Sequence, residues 1–259
     1  MSEFTEVQSG ALIEFRQILQ KSAETSNYNL TDEYLLKFLC ANDYNLKKST
    51  EQFIRYENTR HKYTDLFNII DDLGSVFYSG VITVSKQRTQ NGELVIITRP
   101  GLLKPSKTWL SRLMRATCIS LEMEIEVEST QRNGIINIVD CNGFNWRHLI
   151  YFSLSQTKLF ADLIDQILPV KYNSIHFVNE SKVAQIAFNL IKSLLTASLK
   201  NKVHFNSNRI EKLRQVVDNA ALPTELGGMS DVYSGDEYFL SVTSYYKKCK
   251  TIFRTTSSD

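Results

Sequence analysis

Residues 134–228 constrain the fold of this chain most, because short apolar runs alternate there with helix-forming segments. The run at 135–140 (IINIVD) is almost wholly apolar, as expected of a strand that is covered on both faces. A second run follows at 174–179 (SIHFVN), after a helical segment that Pro169 ends. Strands that alternate with helices pair in parallel through right-handed crossovers. The pattern predicts an α/β fold with a mainly parallel sheet.

The remaining periodicity divides the chain into three parts. Residues 1–70 carry apolar residues at helical spacing and are predicted to form a small all-helical domain that packs on the rest. Residues 71–230 carry the α/β pattern. Residues 231–259 form a C-terminal tail that is rich in tyrosine and is expected to pack back on the α/β domain.

Further elements are predicted before the first parallel strand. Two β-rich runs, at 76–84 and 93–98, flank an Asn91–Gly92 turn signal and indicate two strands. A long helix is predicted over 106–129, with Glu122, Glu124, Glu126 and Glu128 mostly facing water.

An unusually apolar helix is predicted over residues 181–200, after another at 155–168. Its large side chains would together contribute roughly 10 kcal/mol if fully buried. Two interpretations fit: a packed core helix, or a movable lid that closes an apolar cavity and opens at a membrane surface. Periodicity does not separate them. The apolar side of this helix includes Val183, Ile186, Ala187, Leu190 and Leu194, which the family resemblance described below assigns to the lid.

Composition excludes several classes of protein. The formal net charge is +2, so the chain has no global field that would favour nucleic acid. The four cysteines are scattered without CxxC spacing, which predicts reduced thiols in the cytoplasm and no structural zinc. The first residues lack a signal-peptide pattern, and no apolar stretch approaches the roughly 20 residues that span a bilayer.

Catalytic motifs are absent from the sequence: it has no nucleophile elbow, phosphate loop, dinucleotide fingerprint or zinc-hydrolase motif. The chain is therefore predicted not to be an enzyme and to require no cofactor and no metal. Asp140 ends a strand and is expected to organise the following loop. His176 lies within an apolar strand, and its expected partner is a backbone carbonyl or a water.

Six short motifs, in order and at consistent spacing, resemble the CRAL-TRIO lipid-binding family. Within it they are most similar to the carriers that bind tocopherol and retinaldehyde. The resemblance implies a helical N-terminal domain packed on an α/β domain, whose sheet floors a lipid pocket closed by a mobile helix. The motifs are 32–39 (DEYLLKFL), 130–134 (TQRNG), 139–144 (VDCNGF), 168–171 (LPVK), 175–179 (IHFVN) and 222–228 (LPTELGG).

The resemblance also implies which residues line the pocket, with the helix at 181–200 as its lid. The lid helix of the family often contains a proline, which Ser193 replaces here, so the resemblance implies a straighter lid with hinges at its ends. The expected wall residues are Thr117, Leu121, Ile136, Ile138, Phe144, Phe152, Phe160, Leu163, Ile167, Ile175 and Phe177.

The family resemblance further implies a basic cleft that binds phosphoinositide headgroups, but the match is partial. Cys40, Asn42 and Asn173 stand where the family has basic residues. Phosphate recognition favours arginine forks over lysine point charges, so this departure weakens the expected headgroup site. The cations that remain for such a patch are Lys171, Lys200, Lys202 and Arg209.

The leading hypothesis is a monomeric, non-catalytic carrier in the cytoplasm, peripheral to membranes. It would hold one hydrophobic molecule, of the tocopherol, retinoid or phospholipid class, and exchange it with a transient membrane surface. The alternative is a signalling or scaffold module with a collapsed pocket that binds a phosphoinositide or a protein partner.

Overall fold

The computed structural model of the chain describes residues 6–21, 28, 30–68, 73–206 and 210–255. A helical N-terminal region packs on a mostly parallel sheet with helices on its faces. The predicted fold class is therefore confirmed.

The N-terminal region is held together by buried aromatic rings around Phe53. The rings of Phe15, Tyr34 and Phe38 meet the Phe53 ring edge-on, with centroids 6.2, 6.0 and 5.1 Å away. Edge-to-face contacts stabilise rings beyond their burial, and helices this short need such packing. The helices of this region are α1 Glu6–Lys21, α2 Asp32–Ala41, α3 Leu46–Lys62, α4 Thr64–Asn68 and α5 Gly74–Tyr78.

The strand predicted over 76–84 is wrong in its first half, since residues up to Tyr78 belong to α5. Phe77 is fully buried, and its ring stacks on that of Phe239 near the C-terminus. Gly80 then turns the chain with φ of 74° before the first strand begins. The tertiary partner of Phe77, which is distant in sequence, decides this local structure.

The sheet has five strands in the described part of the chain, in the spatial order β1-β2-β3-β4-β5. The β1 strand is antiparallel to β2, and the later pairs are parallel. The strands are β1 Ile82–Val84, β2 Leu94–Thr98, β3 Ile135–Asp140, β4 Tyr172–Val178 and β5 Val203–Phe205.

The order of the parallel strands never reverses, so right-handed crossovers place the connecting helices on one face of the sheet. The other face is covered by a separate apolar cluster that includes Leu213, Val217 and Leu222. The later helices are α6 Trp109–Glu124, α7 Glu128–Asn133, α8 Trp146–Ile150, α9 Leu154–Asp162, α10 Lys182–Lys192, α11 Ala197–Lys200, α12 Ile210–Arg214 and α13 Gly235–Thr255.

The helix predicted over 106–129 ends at Glu124. Glu126 and Glu128 are exposed as expected, whereas Glu122 and Glu124 do not face water. Glu122 is buried and accepts hydrogen bonds from the Tyr56 hydroxyl and, at 3.0 Å, from Arg60. Glu124 is buried and accepts a hydrogen bond from Tyr238 at 3.1 Å. These carboxylates attach α6 to α3 and α13, a role that one helix's periodicity does not reveal.

The helix predicted over 181–200 is also interrupted. It ends at Lys192, where the Ser193 hydroxyl donates to the Leu190 carbonyl at 3.1 Å, and restarts at Ala197. The helix predicted over 155–168 likewise ends early and continues as a π-helical turn, Leu163–Ile167. The straighter lid expected from Ser193 is therefore wrong.

The C-terminal tail contains α13, which packs on α5, α6 and β1. Its side chains Tyr238, Val242 and Tyr246 are buried. The expected return of this segment to the α/β domain is thus seen in the structure.

The buried Glu124 should make stability depend on pH. Burial raises the pKa of this carboxyl, so between its ordinary and its raised pKa the folded state binds more protons than the unfolded state. The free energy of unfolding should therefore fall as pH rises through that window. Glu124→Gln keeps an acceptor for Tyr238 and should reduce this fall, measured by urea unfolding between about pH 4 and 8.

Glu51→Gln, at an exposed position on α3, is the control and should retain the wild-type dependence. Equal slopes in the Glu124→Gln variant and the wild type would contradict the assignment.

Candidate functional site

An apolar cavity of about 140 Å³ lies between the sheet and the connecting helices that cover one of its faces. The sheet provides its floor through alternate side chains: Asn137 and Val139 of β3, and Ile175 and Phe177 of β4. Trp109, Leu110, Leu113 and Thr117 of α6 form one wall. The expected apolar cavity is therefore present in the fold.

Strand alternation corrects the expectation for Ile136 and Ile138. Both side chains point to the opposite face of the sheet, into the cluster with Leu213 and Val217. Successive side chains of a strand point to opposite faces, so Asn137 and Val139 take the cavity positions.

The other expected wall residues divide into two groups. Leu163 and Ile167 are buried in the surrounding core, while Ile164 between them faces the cavity. The π-helical turn is wider than an α-turn and changes which side chain points inward. Leu121 lies beside the cavity, in a small recess between α6 and the sheet that Thr117 and Asn137 also line. The expected residues that do line the cavity are Thr117, Phe144, Phe152, Phe160, Ile175 and Phe177.

The inner face of α10 differs from the predicted one. Ala187 lines the cavity as expected, but Ile186 and Leu190 are 53% and 50% exposed, and Val183 and Leu194 are partly buried against the surrounding core. Ala184 and Ala187 leave space for the cavity because their side chains are small. A prediction that assigns the largest apolar side chains to the inner face overlooks them. The inward face comprises Ala184, Ala187, Phe188 and Ile191, followed by Leu195 after the helix ends.

Aromatic clusters close the cavity at two sides. Phe188 of α10 contacts the rings of Phe177 and Phe205 at centroid distances of 5.1 and 4.8 Å, which holds α10 to the sheet edge. At the opposite side, Trp109 packs on Phe144 and Phe152 at 5.8 and 5.6 Å. These contacts fix the width of the cavity.

Exposed apolar side chains lie on α10 and on two helices that contact it. Ile186 and Leu190 belong to α10, Trp146 and Ile150 to α8, and Leu154 to α9. Leu154 is 79% and Trp146 is 59% exposed. Trp146 begins a short helix capped by Asn145, rather than lying in a loop. We refer to these five side chains as the outer apolar surface.

A second, polar cleft of about 350 Å³ lies between α2, α3 and the segment around α11. It contains Lys171 and Lys202 of the predicted basic patch. The Lys171 ammonium pairs with Asp43 at 2.8 Å, and the Lys202 ammonium donates to the Tyr172 carbonyl at 2.6 Å. The cleft also has acidic side chains, so its charge is mixed.

The other residues of that patch do not complete it. Lys200 ends α11 and does not line the cleft, and Arg209 lies outside the described residues. Asn42 donates to Gln52 at 2.6 Å and to the Phe38 carbonyl at 2.9 Å, so its amide serves the local fold.

Asp165 joins the polar cleft to the segment that follows α10. Its two carboxylate oxygens accept hydrogen bonds from the Thr196 backbone N–H at 2.5 Å and the Thr196 hydroxyl at 2.8 Å. Thr196 is the N-cap of α11, and its hydroxyl accepts from the Leu199 N–H. The chain between α10 and α11 is thereby fixed to the π-helical turn.

Asp140 and His176 have structural partners. Asp140 accepts hydrogen bonds from the Asn142 N–H and the Asn179 amide, both at 2.9 Å, and so organises the loop as expected. His176 contacts the Ser174 hydroxyl at 2.9 Å and the Asn206 amide at 3.3 Å, so the expectation of a backbone or water partner is wrong. Burial, with a smaller effect of His204, lowers its pKa to about 4.

The wall of the cavity is almost entirely apolar, so it excludes water. Burial raises the pKa of the Cys141 thiol, which lies at the wall, to about 12, and a protonated thiol is a weak nucleophile.

No helix in the described ranges has the length and apolar character needed to cross a bilayer.

Known proteins resemble this chain in sequence. A profile described as the CRAL/TRIO domain matches residues 78–228. The chain is similar to "Alpha-tocopherol transfer protein-like" of Homo sapiens, with 26% identity over 215 residues, 82% of this chain and 63% of that protein. Clavesin-1 of Xenopus laevis is 25% identical over 206 residues, 78% of this chain and 62% of the relative. The chain thus spans about three fifths of the length of these curated relatives.

The fold resembles a solved structure as well. The crystal structure of Sfh5 matches with a TM-score of 0.57 and 16% identity, covering 98% of this chain and 100% of that chain. The matched profile includes β1 to β5 and the helix α10 over the cavity. The chain belongs to the CRAL-TRIO lipid-binding family.

Proposed function

We propose that this protein is a non-catalytic carrier that binds one hydrophobic molecule in the apolar cavity and exchanges it with membranes. The cavity carries the proposal, because its walls are almost entirely apolar and apolar walls supply most of the affinity for such a ligand. Tocopherols, retinoids and phospholipids are the candidate classes. The buried thiols Cys40, Cys118 and Cys141 are free, which is consistent with a cytoplasmic location.

The helix α10 acts as the lid in this proposal. The cavity of about 140 Å³ is smaller than the roughly 300–1,000 Å³ of typical ligand pockets, so a lipid would have to displace part of its wall. The side chains of α10 that are buried are Ala184, Ala187 and Phe188. Two of these are alanines, which lose little apolar burial when the helix moves.

Opening would take place at a membrane, through the outer apolar surface. Displacement of α10 in water would expose its inner face, whereas lipid would cover that face and the adjacent Trp146 and Leu154. Tryptophan also favours the interface between lipid and water. We propose that these side chains dominate membrane contact and that the mixed-charge cleft contributes less, because Lys171 and Lys202 already have partners.

Ligand binding is tested by native mass spectrometry and by extraction of lipid from the purified protein. Wild type should carry one lipid molecule per chain or take up a tocopherol, retinoid or phospholipid in that ratio. Ala187→Trp should reduce this uptake at least tenfold, because the indole ring fills the cavity that Ala187 lines.

The matched control is Gln185→Trp, at an exposed position of the same helix outside the outer apolar surface, which should leave uptake unchanged. A wild-type protein that takes up none of these lipids would contradict the carrier and favour a scaffold module.

We propose that the segment between α10 and α11 is the hinge of the lid, which is tested at Asp165. Asp165→Ala removes both hydrogen bonds to Thr196, and each such bond contributes about 0.5–1.5 kcal/mol. Amide hydrogen exchange in residues 193–200 should become faster, and bound lipid should dissociate faster. Asp162→Ala, at the end of α9, is the control. Unchanged exchange at 193–200 would refute the hinge.

Membrane contact is tested by vesicle sedimentation. Replacement of both Trp146 and Leu154 by serine should weaken binding to phosphatidylcholine vesicles roughly tenfold or more, since each side chain loses its apolar burial in lipid. Replacement of both Lys171 and Lys202 by alanine should have the smaller effect, also with vesicles that contain a phosphoinositide bisphosphate. A larger effect of the lysine pair would contradict the proposal.

A further inference from the structure

The apolar cavity and the polar cleft adjoin each other and are separated by a thin partition. Ile164 of the π-helical turn and Tyr172 of β4 line both spaces. The segment after α10 also lies at this boundary, since Leu195 lines the cavity and Thr196, the next residue, lines the cleft. At Ile164, a single side chain therefore stands between an apolar space of about 140 Å³ and a polar one of about 350 Å³.

The π-helical turn gives Ile164 this position. Leu163 and Ile167 of the same turn are buried in the surrounding core, whereas Ile164 lines the cavity. Such turns are rare and occur frequently at functional sites, because the irregularity redirects side chains. A side chain that an irregular turn directs into a ligand cavity is a candidate determinant of which ligand fits.

The residues that directly follow Ile164 hold it in place. Asp165 accepts hydrogen bonds from the Thr196 backbone N–H and hydroxyl, which attach it to the segment after α10. The Arg55 guanidinium of α3 donates to the Gln166 amide oxygen at 2.6 Å. Movement of Ile164 into the cleft would distort or break these hydrogen bonds, so the side chain acts as a fixed end of the cavity.

Tyr172 forms the more firmly packed part of the partition. It is buried within the sheet, and its carbonyl accepts a hydrogen bond from the Lys202 ammonium at 2.6 Å. Ile164 is only partly buried and has a short aliphatic side chain. Of these two residues, Ile164 is therefore the one whose size decides whether the cavity stays separate from the cleft.

We infer that Ile164 limits the length of the ligand that the apolar cavity accepts. A chain that runs towards the π-helical turn ends against this side chain, because Ile164 is held in place and the space behind it belongs to the cleft. Each methylene group added to a ligand raises its affinity only until the chain reaches Ile164. This inference rests on the proposed carrier function and makes Ile164 a determinant of its specificity, in favour of ligands whose apolar part ends at this residue.

The test measures the affinity of 1-alkanols, from hexanol to tetradecanol, by displacement of a fluorescent apolar dye from the full chain. In wild type the affinity should rise about fourfold per methylene group and then stop rising at one chain length. Ile164→Ala shortens the side chain to a methyl group and opens the partition. The affinity of this variant should go on rising for roughly two or more further methylene groups.

A second dye, placed in the cleft, shows whether the end of the ligand has passed Ile164. Ser198 is exposed and lines the cleft, so Ser198→Cys in a Cys249→Ser background offers a thiol for labelling there. The other thiols of the described ranges are buried. The longer alkanols should shift the emission of this dye when Ile164→Ala is also present, and should leave it unchanged when Ile164 is retained.

The matched control is Ile191→Ala, which removes the same carbon atoms from the cavity wall on α10 and leaves the partition intact. It should cause no emission shift in the cleft. Ile164→Val and Ile191→Val provide the same comparison with smaller changes if an alanine variant does not fold.

Three results would overturn the inference but not the carrier. These are a wild-type affinity that rises through the whole series, the same limiting chain length in wild type and the Ile164→Ala variant, and equal emission shifts in the Ile164→Ala and Ile191→Ala variants. Displacement of the apolar dye by none of the alkanols would overturn both.

Discussion

The one-directional order of the parallel strands is the constraint on which the rest of this structure depends. Each right-handed crossover returns to the same face, so α6, α9 and α10 lie over one side of the sheet. The opposite side is closed by a compact apolar cluster around Leu213 and Leu222. The face that α6, α9 and α10 cover therefore leaves space for a cavity between the sheet and those helices.

The two walls of this cavity differ in how firmly they are held. Buried hydrogen bonds from Tyr56, Arg60 and Tyr238 to Glu122 and Glu124 fix α6 between the N-terminal helices and α13. On the other wall, the inward face of α10 combines the small side chains of Ala184 and Ala187 with Phe188 and Ile191. Carboxylates buried with partners cost much when broken, whereas alanine contacts cost little. This asymmetry supports the proposed role of α10 as the lid.

Polar and apolar features of the site are separated in space. The outer apolar surface around Trp146 lies beside α10, and the mixed-charge cleft that contains Lys171 lies on the side of the N-terminal helices. A small recess beneath α6 adjoins the cavity, and its lining contains Thr117 and Asn137 but no charged side chain. In the proposed carrier, membrane contact and ligand binding would therefore depend on different residues.

The amino-acid sequence by itself determined the fold class, because alternating strand and helix periods leave few topologies. It also indicated the helix over the cavity, and about half of the wall residues that it predicted do line the cavity, including Phe160 and Phe177. It placed Ile136 and Ile138 on the wrong face, since both faces of a buried strand are apolar and composition does not distinguish them.

Only the tertiary structure decided which side chains meet. Glu124 is buried where Tyr238, far along the chain, donates to it, and the segment between α10 and α11 is held where Thr196 donates to Asp165. Likewise, the recess exists only where Thr117 of α6 lies over Asn137 of β3. These contacts join residues distant in sequence, and local periodicity carries no information about such pairs.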